Sequence, residues 1–143
     1  MTTTSQAISL KGKIAFISGA SKGIGVEIAA VLSAAGADLA LTARNEQELE
    51  QTAEAARKNG VKVWTKTAEM GDAYDVKALA QAVLAEFGRV DILVNNAGVA
   101  KHEPFLDVEI ETFHTVMNVN LLAPFLLSQA FIPGMIERKG GKI

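Results

Sequence analysis

Short unbroken apolar runs and helical spacings of apolar residues take turns along this chain. Ile14-Ala15-Phe16-Ile17 is one such run, closed by Ser18-Gly19, the pattern of a strand buried on both faces. From Gly23 onward Ile24, Ile28, Val31, Leu32 and Ala35 recur at helical spacing, and Gly36 follows where a helix would stop. A helix with one apolar face is predicted there. Leu39-Ala40-Leu41-Thr42 predicts a second strand, and Asn45 with Glu48 three residues on gives a capping-box-like start to a more polar helix ending at Gly60. A third strand follows at 61–65. Asp72 then caps a helix whose Val76, Leu79, Ala80, Val83, Leu84 and Phe87 line one side, with Gly88 closing it, before Val90-Asp91-Ile92-Leu93-Val94 as a fourth strand.

After Gly98 a loop around Pro104 leads into a long apolar segment, 108–136, predicted as one helix. An interior proline costs roughly 3 kcal/mol, so a kink near Pro124 or a break near Pro133 is expected. Gly140-Gly141 end the helix, and Lys142-Ile143 look like the start of a fifth strand. Strands alternating with helices through glycine-marked turns predict an α/β fold, a doubly wound parallel sheet of the Rossmann type, truncated after the fourth strand and the helix that follows it. Residues 1–10 are expected to be a disordered leader, and residues 11–143 one domain, incomplete at its C-terminus.

Composition narrows the chemistry. With 49% hydrophobic and 21% charged residues over 143, the balance is globular and suits one core. A net charge of −2 offers no general attraction for nucleic acid or an anionic membrane, so any bound anion must be held by a local site. The absence of cysteine excludes disulfides and thiolate metal sites and fits a reducing compartment, with the cytoplasm as the expected location. No segment is expected to span a membrane. His102 and His114 lie far apart and belong to no ligand motif, so no metal is expected.

That local site is predicted in Gly19-Ala20-Ser21-Lys22-Gly23-Ile24-Gly25, between the first strand and the first helix, where a doubly wound sheet binds dinucleotides. Glycines permit the tight turn and a close approach of phosphate to backbone. Free N–H groups and the positive end of the helix dipole then stabilise a pyrophosphate. Ser21 can add a hydroxyl donor. At the end of the second strand the chain reads Thr42-Ala43-Arg44, with no acid to accept ribose hydroxyls and with a guanidinium suited to grip a 2′-phosphate. Lys22 would add a second cation, and NADP(H) is the expected cofactor.

The spacing Gly19-x-x-x-Gly23-x-Gly25 resembles the signature of the classical short-chain dehydrogenase/reductase family, in a form similar to 3-oxoacyl-ACP reductases. Asn95-Asn96-Ala97-Gly98, closing the fourth strand, is similar to the family motif that steadies the sheet and contacts the cofactor ribose. Asn118-Val119-Asn120 matches a third motif, and the resemblance implies that Asn120 belongs to the catalytic set and holds a water in the proton path. Where the family carries an aspartate and an aliphatic residue beside the adenine, this chain has Glu69-Met70.

The resemblance implies hydride transfer between NADP(H) and a small-molecule carbonyl or alcohol, in a homo-oligomer when full length. It also implies a downstream serine and a Tyr-x-x-x-Lys that supply proton chemistry. The single tyrosine, Tyr74, has Lys77 three rather than four residues on and opens a helix away from the glycine loop, so it is not that pair. The 143-residue chain is therefore expected to bind cofactor without turnover, and to be poorly stable or to associate strongly. The alternative is a catalytically inactive dinucleotide-binding or interaction module.

Overall fold

The computed structural model describes residues 8–143; the first seven residues of the expected leader lie outside the described range. Within that leader Leu10 packs on the core, and its N–H donates to the carbonyl of Ala35 at 2.7 Å. Four parallel strands form one sheet: β1 (Ile14–Ser18), β2 (Asp38–Ala43), β3 (Val63–Thr67) and β4 (Ile92–Val94), in the order β3-β2-β1-β4. Strand order reverses at β1, so β1 and β4 flank a crevice at their C-terminal ends, where such sheets bind ligands. Phe16 sits opposite Ala40 on one side and Leu93 on the other, which fixes the register.

The period-2 alternation of β1 supplies both cores. Ala15 and Ile17 face α1 (Ile24–Ala34) and α2 (Glu46–Arg57), while Phe16 faces α3 (Ala73–Phe87) and the last helix. Asp72 caps α3 by accepting from Tyr74 N and Asp75 N, and Gly88 ends it at φ 74°. β3 begins two residues later than predicted. Gly60, at φ 77°, turns the chain, and Lys62 is spent meeting β2 through its N–H to Asp38 Oδ1 at 2.8 Å.

The buried stripe of α1 also differs from the predicted one. Ile24 and Val31 are exposed, while Gly25, Ala29 and Ser33 face the sheet. Small residues four apart let the helix backbone approach the strands closely, so proximity rather than side-chain bulk decides which face is buried.

The predicted single long helix is α4 (Ile110–Met117), a π-helical turn (Asn118–Leu122) and α5 (Ala123–Glu137) in succession, preceded by a 3-10 turn at Phe105–Asp107. The widened turn ends just before Pro124, which stands in the first turn of α5, so the residue without an N–H falls where the regular α-helical ladder is already interrupted. Pro133 lies inside α5 without ending it, so the expected break does not occur. Taken together, Ile110–Glu137 is long enough to cross a membrane, and one 18-residue window within it reaches a mean hydropathy of 1.6. One face of it nonetheless lies in the core: Val119, Ala123, Leu126, Leu127, Phe131 and Met135 are buried.

Lys142 continues the sheet by a single parallel bridge to Ile92, with Leu93 N donating to its carbonyl at 2.9 Å. Asp91, 8% exposed, ties this end together. Its Oδ2 accepts from Ile14 N at 2.9 Å and from Arg89 Nε at 3.2 Å, and Arg138 Nε lies 3.6 Å from its Oδ1.

Candidate functional site

A cavity of about 730 Å³ opens over the C-terminal ends of the strands. Its walls come from four places: the turn after β1 (Gly19, Ser21, Lys22, Ile24), the end of β2 (Ala43, Arg44), the segment after β3 (Ala68 to Asp72) and the segment after β4 (Asn96 to Val99). Thr115, Asn118 and Val119 close the far side. Of the predicted cofactor residues, Gly19, Ser21, Lys22, Ile24, Arg44, Glu69, Met70, Asn96, Ala97 and Gly98 all line this one cavity. Gly23 and Gly25 do not line it; they shape the turn beneath.

The glycines act in three ways. Gly19, at φ 67°, takes a backbone conformation that side chains avoid, and a Cβ there would lie 2.9 Å from Ala97 Cα. Gly25 starts α1 hard against the turn, where a Cβ would strike the Gly19 carbonyl oxygen and come within 2.8 Å of Asn96 Nδ2. Gly23, at φ 55°, has open space around it, leaving room for a ligand group to approach the main chain. Gly23 gives α1 no side-chain cap, so first-turn amides are left for an anion.

Ser18, the last residue of β1, joins the two walls of the crevice. Its Oγ accepts from Asn96 N at 3.1 Å and Ala97 N at 3.0 Å. Asn96 answers with Nδ2, which donates to the carbonyls of Ser18 at 3.1 Å and Gly19 at 3.0 Å. Both strand ends are thus locked before any ligand arrives. The signal in the sequence was a small hydroxyl residue directly before the first glycine of the turn.

The two cations already have carboxylate partners. Lys22 Nζ lies 2.9 Å from Glu48 Oε1, and Arg44 lies 4.0 Å from Glu69 Oε2. Both cationic side chains are about three-quarters exposed, so these pairs hold them loosely. Glu69 also accepts from Gly71 N at 3.1 Å through Oε1, bending the segment after β3 into the cavity wall.

Asn120 stands in the π-helical turn but not in the cavity lining. Its Nδ2 donates to the Val99 carbonyl at 2.8 Å and its Oδ1 accepts from Val99 N at 2.9 Å, a two-bond clasp on the backbone after β4. Asn118, also unassigned from sequence, donates through Nδ2 to the Gly71 carbonyl at 3.3 Å. The π turn therefore ties together the segments after β3 and β4.

A turn that presents amides to an anion, two loosely held cations beside it and an apolar floor make a site for an extended, phosphate-bearing aromatic ligand. Comparison with known proteins points the same way. The family model described as short chain dehydrogenase matches residues 13–143. The 2-dehydro-3-deoxy-D-gluconate 5-dehydrogenase of Formosa agariphila is 35% identical over 135 residues, which are 94% of this chain and 51% of that protein. Among solved structures, a metagenomic short-chain oxidoreductase in complex with NADP superposes with a TM-score of 0.89 at 38% identity, over 92% of this chain and 59% of the other. L-sorbose reductase from Gluconobacter frateurii, complexed with NADPH and L-sorbose, gives 0.90 at 33% identity, over 94% and 52%. The chain spans about half the length of the relatives it matches.

Proposed function

The chain belongs to the short chain dehydrogenase family, and from that premise we propose that it holds NADP(H) in the cavity and forms the cofactor half of an oxidoreductase acting on a small-molecule carbonyl or alcohol. The observation that carries this reading is that the uncapped turn, Lys22 and Arg44 border one cavity with no acid at the end of β2. Amides of the turn and the dipole of α1 hold the diphosphate, and Ser21 adds a hydroxyl donor. Arg44 and Lys22 take the 2′-phosphate by charge-assisted hydrogen bonds. The bound nicotinamide supplies or accepts the hydride. Ala97 and Gly98 carry the ribose, and Glu69 and Met70 edge the adenine side. Asn120 is a positioning residue: both its side-chain groups are committed to Val99, which fixes the backbone after β4 at the edge of the cavity.

Phe113 on α4, Leu121 in the π turn and Phe125 on α5, each more than half exposed, offer an apolar strip to a second copy, which supports a homo-oligomer. Titrating the chain with NADPH and with NADH tests the cofactor assignment. Arg44→Asp is expected to weaken NADPH by about tenfold to a hundredfold, as loss of a charge-assisted contact does, while NADH changes little. Equal binding of NADPH by both proteins would remove the assignment.

A further inference from the structure

Glu48 lies beside the phosphate turn without serving the helix it belongs to. At the third position of α2 it would close a capping box by accepting from the Asn45 amide. Asn45 does accept from Glu48 N, at 3.1 Å, but Glu48 does not answer. Its Oε1 pairs with Lys22 Nζ at 2.9 Å, and its Oε2 is buried without a hydrogen-bond partner. A buried carboxylate oxygen left unpaired is unfavourable, and an exposed lysine returns little. Arg44, the other cation, has only the longer 4.0 Å contact with Glu69, whose Oε1 is also occupied by Gly71 N.

We propose that Glu48 is a specificity-determining residue that moderates the grip on the 2′-phosphate by competing for Lys22. This rests on the cavity being the NADP(H) site. In the free chain the carboxylate neutralises Lys22, and when a 2′-phosphate arrives it must share that lysine while adding a negative charge to the same neighbourhood. A nucleotide bearing a 2′-hydroxyl meets neither effect. Glu48 therefore narrows the preference for the phosphorylated nucleotide that Lys22 and Arg44 create. Arg44 is the primary clamp and Lys22 the moderated one.

The probes are 2′,5′-ADP and 5′-AMP, which differ only in the 2′-phosphate, titrated calorimetrically into the 143-residue chain. Glu48→Gln preserves side-chain length and removes the charge. It is expected to tighten 2′,5′-ADP about three- to fivefold and to leave 5′-AMP unchanged. In a Lys22→Met background the same substitution should give less than half that gain. Lys22→Met alone should weaken 2′,5′-ADP less than Arg44→Met does, a comparison that stands even if Glu48→Gln fails to fold. The proposal is overturned if Glu48→Gln leaves the ratio of the two affinities unchanged, if both ligands tighten equally, or if Lys22→Met and Arg44→Met lose equally. Saturable preference for 2′,5′-ADP with no effect at Glu48 would leave the cofactor site standing and remove only this inference. No saturable binding of 2′,5′-ADP or NADPH by wild type or variants removes both.

Discussion

The two faces of the sheet are covered by different means. On the face of α1 and α2, small residues bring the backbones close, Gly25, Ala29 and Ser33 on one helix and Ala53 and Ala56 on the other, while Leu49, Ile28 and Leu32 fill the remaining space against Ala15, Ile17, Leu39 and Leu41. On the face of α3 and α5 it is built from bulk, with Phe16 and Phe131 at 5.5 Å between ring centroids, tilted by 52°, and leucine and valine around them. The first face is closed and carries the phosphate turn and both cations. The second continues outward through α4, the π turn and α5, whose far side keeps Ile110, Phe113, Leu121 and Phe125 in solvent. Ligand geometry is thus set by close backbone approach at the phosphate turn, while the Phe16–Phe131 pair and its aliphatic neighbours fill the other face.

The sharpest way to break this contrast is at Phe131, which is 1% exposed. Phe131→Ala should cost about 3–5 kcal/mol, since the ring fills the centre of its face and the cavity left behind cannot collapse fully. Urea unfolding would measure this, and a loss under 1 kcal/mol would mean that the ring does not fill the α3/α5 face. Nucleotide affinity should persist in whatever fraction remains folded.

Gly25→Ala should do the reverse. One added methyl meets the Gly19 carbonyl oxygen and Asn96 Nδ2. The expected loss of stability is about 1–3 kcal/mol, typical of overpacking, together with loss of detectable NADPH binding because the turn must move. A folded variant that still binds NADPH like wild type would contradict the role given to close approach.

The smallest effect is expected at the rim of the closed face. The Arg57 guanidinium bonded to Glu50 holds that carboxyl below its usual range, with Thr65 adding a further hydrogen bond. A carboxyl lowered in the folded state contributes stability above its unfolded value and loses it as pH falls through the folded value. Both side chains are about 40% exposed, so the contribution is a surface pair's. Arg57→Met should lower stability slightly near neutral pH, by about 0.2–1 kcal/mol, and the difference from wild type should fade as pH falls through the range where Glu50 is protonated. A large shift at neutral pH would assign the pair a different role.

How much of this was legible beforehand follows the same division. The order of strands and helices, the Asp72 cap, the Gly88 stop and the cavity-lining set Gly19, Ser21, Lys22, Ile24, Arg44, Asn96, Ala97 and Gly98 all follow from residue type and position, while β3 and β4 each begin two residues later than the apolar runs suggest. What sequence could not resolve was which helix face turns inward when the contact uses small residues. Ile24 and Val31 look like core residues on hydrophobicity, yet a stripe of glycine, alanine and serine wins because it brings the backbones closest. Periodicity also could not show the π turn, because one extra residue per turn barely disturbs an apolar pattern that is already broad. Nor could it reveal that Glu48 would leave the capping box for Lys22, since the choice depends on where the first turn ends in space.

The stripe of small residues under α1 has a mechanical consequence. With glycine, alanine and serine between its backbone and the strands, the helix has little slack in the direction of the sheet, so its N-terminal end cannot be adjusted independently of its middle. A single methylene added at Ala29, wholly enclosed and a full turn from the phosphate loop, would tilt the helix as a lever. The bound nucleotide would register a change made at a position it never touches.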